Sequence, residues 1–596
     1  MITNLIVSSA KKSIEKLYNE PNFPESQLVV QPTKEGIDGD FTLVVFPISR
    51  VSKKKPAETA EDLGNFILED VQYIESYSVI NGFLNFKLKS EYWNNLLNQN
   101  FKNINYGYCT KSKDKKILIE FSSPNTNKPL HLGHVRNNLI GMSVANLLDA
   151  AGYDVVKLNL VNDRGVHICK SMYAWQKWGN GSTPESTGIK GDHLVGDYYV
   201  EFAKHCQEEV AKLIENNISE EEAKKNAPSI KAAQQMLSQW ENNDKEVIDL
   251  WKIMNNWVYD GFDITYKRLG INFDKTYYES ETYLLGKKIV EDALQKGIVY
   301  KEDDSSVWID LTDEGLDKKL LLRGDGTSVY MTQDIGTAIL RFNDYSPNKM
   351  IYVVGNEQIY HFDVLKQILK KFGYNWWNTI YHLSYGMVEL TTGKMKSREG
   401  TVVDADDLMD EMNSIASQII KEQGKIEYGT KEADELAEIV GLAALKYYIL
   451  KVDPKKQMLF DPKESIDFNG NTGPFVQYTY ARIQSLLSKA NFNEDNFDYT
   501  INKEFSNYQE EEIALIKMLH DFPNIVQKAA NDLNPGQIAN FVYELAKCYN
   551  RFYQSISVLK ENDPELKNNR ILLSYFTANV IRNSMHILTI EVPDRM

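Results

Sequence analysis

Two histidines three residues apart, His131 and His134, flank Gly133 in the segment Ser122-Ser123-Pro124-Asn125-Thr126-Asn127-Lys128-Pro129-Leu130-His131-Leu132-Gly133-His134. In the first turn of a helix that spacing turns both imidazoles toward one ligand. Ring N–H donors beside the positive end of a helix stabilise charge that grows on a phosphate. Gly133 leaves room for a planar base against the backbone, and Lys128 adds a point charge for phosphates. The plain alternative is a capped helix with two half-buried histidines; the glycine between them, the lysine and the preceding strand favour a ligand. A P-loop and a dinucleotide fingerprint are excluded, because neither G-x-x-x-x-G-K-[ST] nor G-x-G-x-x-G occurs. A second cationic group lies at Thr391-Thr392-Gly393-Lys394-Met395-Lys396-Ser397-Arg398-Glu399-Gly400-Thr401. Lys394, Lys396 and Arg398, flanked by glycines, suit a clamp on a polyphosphate as part of it departs. On charge alone a solvated hairpin loop fits that stretch equally well.

These residues need elements to hold them. ILIEF (117–121) is a short apolar run of buried-strand type, broken by the turn residues SSPNTNKP. HVRNNLIGMSVANLLDAAGYD follows with Val135, Leu139, Met142 and Leu147 near helical spacing and a stop around Gly152, and VVKLNLV (155–161) is a further strand. Strand, helix and strand make a βαβ unit and predict a parallel sheet, which puts the histidine loop at a strand's C-terminal end, where open α/β sheets bind ligands. A second such unit is KMIYVVGNEQIYHFDVLKQILKKFG (349–373), followed by the strand candidate YHLSYGMVEL (381–390). The expected architecture is therefore multidomain α/β. Residues 1–110 form a small α+β domain with strands in FTLVVFPIS and GFLNFKLK, a helix in DLGNFILEDV, and a linker at TKSKDKK (110–116). Residues 111–404 form the parallel-sheet domain, with an insertion over about 165–345. A helical connecting segment, 405–470, leads to an all-helical domain, 471–596.

The chain has 596 residues, with 67 Lys+Arg against 83 Asp+Glu and a net charge of −16. That argues against a protein coated in basic surface, while leaving room for a local cationic groove. The four cysteines, Cys109, Cys169, Cys206 and Cys548, never form C-x-x-C; a disulfide framework or cysteine zinc site is not expected, and thiols in a reducing compartment are. No signal peptide is visible and no apolar run approaches the roughly 18 residues that span a bilayer. The expected home is the cytoplasm, with no membrane partner.

His-Leu-Gly-His resembles the H-I-G-H signature of class I aminoacyl-tRNA synthetases. The wider string E-F-S-S-P-N-x-x-K-P-L-H-L-G-H (120–134) is similar to the arginyl-tRNA synthetase family. The resemblance implies a Rossmann-type catalytic core, with Mg2+-bound ATP, L-arginine and tRNA(Arg) as substrates and no resident metal or organic cofactor. It places the 391–401 loop where the class carries K-M-S-K-S, with Ser397 at the second lysine position. The family often lacks that lysine and uses one upstream of the histidines, here Lys128; whether Lys396 or Arg398 shares the task stays open. His131, His134, Lys128 and Lys396 are the implied catalytic residues. Gly133, Lys394, Met395, Ser397, Arg398 and His361 are the implied further ATP contacts.

An arginine substrate needs carboxylates in fixed geometry, because its guanidinium is a planar fork of donors that stays charged. By resemblance, Tyr330 and Asp334 in VYMTQDIGTAIL hold the guanidinium, Glu120 and Asn125 contact the amino acid, and Gln358 in GNEQIYHF assists. The bland readings are a helix cap for Asp334 and a core aromatic for Tyr330. For tRNA, the resemblance points to Phe475 and Tyr478 in GPFVQYTYARI, the terminal Met596, and Phe83 and Asn85 in NGFLNF; aromatics there could instead be core. It also implies a need for bound tRNA even for amino-acid activation; a monomer is expected, although the sequence itself carries no signal of oligomeric state. Two other readings are another H-x-G-H nucleotidyltransferase and a non-catalytic tRNA-binding relative. The paired acids and terminal domains speak against the first, the intact histidines and basic loop against the second.

Overall fold

A computed structural model describes residues 2–34, 36–390, 403–424, 427–494, 497 and 499–596. The cationic segment 391–401, with Lys394, Met395, Lys396, Ser397 and Arg398, lies outside the described residues. The described chain divides into two compact units. One comprises residues 107–482, 523–546 and 581–596; the other comprises 1–106, 483–522 and 547–580.

In the larger unit the apolar run Ile117–Ile119 ends strand β1 (Ser112–Glu120). Helix α1 (Leu132–Ala150) returns the chain to β2 (Tyr153–Val161), parallel to β1 in the register Ile117↔Val155 to Glu120↔Leu158. Helices α2 (Gly191–Glu215) and α3 (Lys245–Leu269) precede β3 (Lys275–Tyr278), which pairs in parallel with Leu158–Val161. Helix α4 (Tyr330–Tyr345), strand β4 (Lys349–Gly355), helix α5 (Ile359–Lys371) and strand β5 (Ile380–Tyr385) complete an all-parallel sheet of order β5-β4-β1-β2-β3. Chain order reverses between β1 and β4, so the loops leaving their C-terminal ends open onto one crevice.

Several expectations change. The charged stretch at 110–116 is no linker: residues 112–116 extend β1, through a register irregularity between Ser112 and Lys116. The 165–345 segment is not one insertion, because β3 is an edge strand of the core sheet. Beyond β3, Val290, Ile335, Ala338 and Ile339 join Leu118, Leu158 and Met350 in one buried apolar cluster. Fully burying each such aliphatic side chain is worth about 1.5–3 kcal/mol, which makes residues 285–345 part of the core. The helices between β2 and β3 are added to the parallel fold, as is a three-stranded antiparallel sheet (Tyr300–Lys301, Val307–Ile309, Lys319–Leu322), whose Val307, Ile309, Leu321 and Leu322 belong to the same buried cluster.

The run 381–390 also divides. After β5 the chain breaks at Gly386, whose N–H donates to the Pro454 carbonyl at 2.9 Å. A Cβ at Gly386 would lie 2.5 Å from the Lys456 carbonyl carbon, so the close approach requires glycine. Strand β6 (Val388–Leu390) then pairs in parallel with β7 (Met458–Phe460), beyond helices α6 (Ala405–Gln423) and α7 (Lys431–Leu450).

In the smaller unit a four-stranded antiparallel sheet has the spatial order Val30–Pro32, Phe41–Val44, Phe83–Leu88, Ile74–Ile80. Asn81 and Gly82, both at positive φ (51° and 78°), make the two-residue turn between its last two strands. FTLVVFPIS is strand only to Val44; Pro47 then sits in the first turn of a short helix, Phe46–Ser52. The expected 471–596 domain is shared between the units. In the smaller one, Asn94 donates to the carbonyls of Asn502, Lys503 and Phe505 at 3.0, 3.1 and 2.8 Å. Lys517 pairs with Asp40 at 2.6 Å. These bonds fasten 483–522 to the N-terminal sheet and helices.

Candidate active site

Strand β1 ends in an unusual turn. Ser122 and Ser123 both have left-handed backbone, with φ of 79° and 48°, a conformation costing about 1–2 kcal/mol per non-glycine residue. Neighbours hold it. The Ser122 N–H donates to Asn137 Oδ1 at 2.6 Å, and the Ser123 N–H donates to Asn159 Oδ1 at 3.1 Å. The Ser122 hydroxyl meets the Tyr266 hydroxyl at 2.7 Å. Asn137 also donates to the Val353 carbonyl of β4 at 2.7 Å, so one amide joins the two strands that flank the crevice. Helix α1 lies close enough to β1 that a Cβ at Gly141 would stand 2.2 Å from the Phe121 ring.

At the start of α1 the two histidines form a capping box. The Gly133 N–H donates to His131 Nδ1 at 3.1 Å, and the His131 N–H donates to His134 Nδ1 at 3.2 Å. Accepting a backbone proton leaves each Nδ1 unprotonated, so the ring proton of each neutral imidazole sits on Nε2. The rings lie 3.9 Å apart. Burial lowers His131 to about 4, with the Lys128 charge adding to the shift. Burial, with His131 and Lys128 nearby, takes His134 well below its ordinary value. At neutral pH the pair is therefore two uncharged donors. Gly133 has a steric reason beyond the one expected: a Cβ there would stand 3.0 Å from His131 Cε1.

Carboxylates gather on the same crevice. Asp334, one turn beyond Tyr330 on α4, lies 2.6 Å from His361 Nε2 at the start of α5. His361, expected beside the nucleotide, thus joins the acid group, because the first turns of α4 and α5 face each other. Tyr330 is 77% exposed, which rules out the core-aromatic reading, and Gln358 is exposed in the turn Asn356–Gln358. Glu120 is buried and ion-paired with Arg341, which lies between the rings of Tyr277 and Tyr352. Burial pushes the Glu120 carboxyl up, Arg341 opposes that push and Asp334 adds to it. Asn125 is exposed and bridges in parallel to Asn162 beyond β2.

The sequence reading missed Glu279. It follows β3 directly, so it emerges at the C-terminal edge of the sheet. Asp163 fixes its neighbour: Ser280 donates to that carboxylate through its N–H at 2.8 Å and its hydroxyl at 2.7 Å. Burial raises Glu279 to about 7, with Asp163 and Asp334 pushing the same way and Arg164 opposing. Carboxylates that raise one another's pKa are relieved by a cation. The missing signal was β3 itself, four residues too polar to read as a strand.

The expected tRNA contacts differ in exposure. Asn85 is buried and accepts from the Thr42 hydroxyl at 2.6 Å, so it is withdrawn as a base contact: the pleat turns it inward. Phe83 is half-buried, edge-to-face on Phe46 at 5.3 Å. Phe475, Tyr478 and Met596 are half-buried as well; Phe475 packs on Tyr543 at 5.3 Å and Arg482 lies over the Tyr478 ring at 5.0 Å.

The whole chain is similar to known proteins. It is 55% identical over 599 residues to the arginine–tRNA ligase of Bacteroides fragilis, covering 100% of both chains. The same ligase of Flavobacterium psychrophilum is 51% identical over 608 residues, again at 100% of both. The chain belongs to the arginyl-tRNA synthetase family. Three family descriptions match in order: "Arginyl tRNA synthetase N terminal domain" at residues 4–88, "tRNA synthetases class I (R), catalytic domain" at 95–461 and "DALR anticodon binding domain" at 476–596. The catalytic match takes in residues 405–461 of the segment expected to be a connector. The fold agrees with the arginyl-tRNA synthetase of Thermus thermophilus at TM-score 0.80 and 23% identity, over 99% of this chain and 100% of that one. Among the described residues no helix is long and apolar enough to cross a membrane.

Proposed function

We propose the following division of labour for the ATP-dependent ligation of arginine to tRNA. The arginine carboxylate attacks the α-phosphorus of Mg2+-bound ATP, giving arginyl-adenylate and pyrophosphate. The terminal ribose hydroxyl of tRNA(Arg) then attacks the adenylate carbonyl and releases AMP. No covalent enzyme nucleophile is required, so the residues act by placement and charge. His131 and His134 offer Nε2–H donors to phosphate oxygens, Lys128 supplies a fixed cation, and residues 394–398 supply the others. Asp334 takes the guanidinium, flanked by Tyr330 and Gln358; Glu279 is a second carboxylate for it. Glu120 and Asn125 face the α-amino end, with Arg341 ion-paired to Glu120 and opposing the upward push of its burial. Asp334 also tethers His361, which orients the carboxylate and leaves the nucleotide to the histidine motif.

The observation that carries this reading is the pairing of two uncharged, tautomer-locked imidazoles with an acid group at one sheet's reversal point. Phe83, Phe475, Tyr478 and Met596 are proposed tRNA contacts, by base stacking for the aromatics. One chain carries all three matched regions, which supports action as a monomer, and its substrates support a cytoplasmic setting. Arginine-dependent ATP–pyrophosphate exchange, with and without tRNA(Arg), tests the scheme: exchange is expected only with tRNA. Absence of exchange in both would defeat it.

A further inference from the structure

A polar cluster beyond the phosphate loop has no part in the scheme above. Lys190, at the N-cap of α2, places Nζ 3.1 Å from Asp192 Oδ2 and 2.7 Å from Asp406 Oδ2. It also donates to the Thr265 hydroxyl of α3, and that hydroxyl in turn donates to Asp406 Oδ1 at 3.0 Å. His193 Nε2 lies 3.0 Å from Asp406 Oδ2 and 3.6 Å from Asp404 Oδ2. Asp192 is fully buried, and Lys190, His193, Asp404 and Asp406 are mostly so. Among the described residues, Asp192, His193 and Asp406 have the spacing of a metal-ligand set. The Lys190 ammonium, bonded to two of those carboxylates, already supplies the cation.

The cluster's neighbours give it a different use. Asp404 caps α6 by accepting from the N–H groups of Asp406 and Asp407 at 2.8 and 3.2 Å. Its backbone forms an antiparallel bridge with His131. The Leu132 N–H donates to the Val403 carbonyl at 2.8 Å, and the Ala405 N–H donates to the Leu130 carbonyl at 3.0 Å. Helix α2 touches the same loop from its other side, since a Cβ at Gly196 would lie 2.8 Å from Pro129 Cδ. Residues 403–406 are thus held on one flank by the loop that carries His131 and on the other by Lys190 and His193. Burial disfavours the His193 imidazolium, but the Asp406, Asp192 and Asp404 carboxylates outweigh that and hold its pKa above the ordinary value.

We propose that Lys190, His193 and Asp406 are positioning residues for the ATP step, fixing the backbone of His131 through the Leu130–Leu132 bridge to Val403–Ala405. The inference rests on the reading that His131 serves ATP. Lys190→Met leaves three carboxylates around one imidazole, and their repulsion shifts residues 403–406 and with them the His131 backbone. The histidine's chemistry stays intact while its aim is lost.

The test uses the full chain in tRNA-dependent pyrophosphate exchange, titrating ATP and arginine separately, with tRNA affinity measured by filter binding. Lys190→Met and Asp406→Asn should lower kcat/KM for ATP by 10- to 100-fold while the arginine KM and the tRNA Kd stay within twofold. Lys190→Arg should recover most of the loss. Thr265→Val, a milder change that removes one hydroxyl, should lower it severalfold and serves if Lys190→Met does not fold. Unchanged ATP parameters in the folded variants would overturn the proposal, as would an equal loss for ATP, arginine and tRNA. His131→Ala is the control. If it leaves ATP use intact, the reading of His131 has failed; if it abolishes ATP use while the Lys190 variants do not, only the positioning role has.

Discussion

Replacing His131 by asparagine and, separately, by glutamine separates two jobs that one ring performs. The Nδ1 atom caps α1 by accepting from the Gly133 N–H at 3.1 Å, and Nε2 carries the proton assigned to phosphate. The asparagine amide ends near Nδ1 and is among the preferred N-caps; the longer glutamine amide ends near Nε2 and caps poorly. His131→Asn should therefore keep the helix start while losing a transition-state donor, a loss of roughly 100- to 1,000-fold in rate. His131→Gln should keep more of the rate but loosen the first turn by about 1 kcal/mol. That corresponds to roughly fivefold faster local opening. Pyrophosphate exchange in the presence of tRNA reads the first quantity, and hydrogen–deuterium exchange of a peptide spanning 130–136 reads the second. The reverse pattern, with asparagine active and glutamine inactive, would refute the assignment of the chemistry to Nε2.

The depressed pKa values make a pH prediction. His131 titrates near 4, and burial beside His131 and Lys128 holds His134 well below its ordinary value, so the stability that rests on the neutral rings is complete above the ordinary value of about 6.5. It is lost as pH falls toward 4, and kcat/KM for ATP should show no limb from His131 or His134 between pH 6 and 8. A limb near 6.5 that disappears in His131→Asn would contradict the site's electrostatics. Asp334→Asn should raise the arginine KM about 10- to 100-fold, the loss of a charged hydrogen bond, and leave the ATP KM alone; an unchanged arginine KM in the folded variant would remove Asp334 from the pocket. Glu279, raised to about 7, ionises across the neutral range, so arginine affinity should increase from pH 6 to 8 by calorimetry. Glu279→Gln should flatten that rise, and a slope that survives the substitution would mean another group titrates.

The histidine loop was legible because its chemistry and its fold leave one local mark: an apolar strand, turn residues, then two histidines at first-turn spacing. The helical spacing of Tyr330 and Asp334 was equally plain. The strand Lys275–Tyr278 was not, because an edge strand of four residues needs no continuous apolar run, and Glu279 was lost with it. The charged half of β1 was read as a linker for a similar reason: Ser112–Lys116 point their charges to solvent, and only pairing with β2 makes them a strand. Asn85 was misjudged because a polar residue in a strand can face either side, and Thr42 across the sheet decides which. The pairing of His361 with Asp334, 27 residues apart in sequence, depends on the starts of two helices facing each other, which local spacing does not encode.

The two left-handed serines after β1 have a consequence for when the chain first becomes active. Their backbone is sustained by Asn137, Asn159 and Tyr266, the last 144 residues downstream of Ser122. Until that tyrosine has emerged and α3 has docked, the turn has every reason to relax to extended backbone, carrying Ser123 away from Glu120. A nascent or partly unfolded chain thus holds the histidine signature without the shape that uses it. The shape of this turn therefore depends on the completion of its own domain.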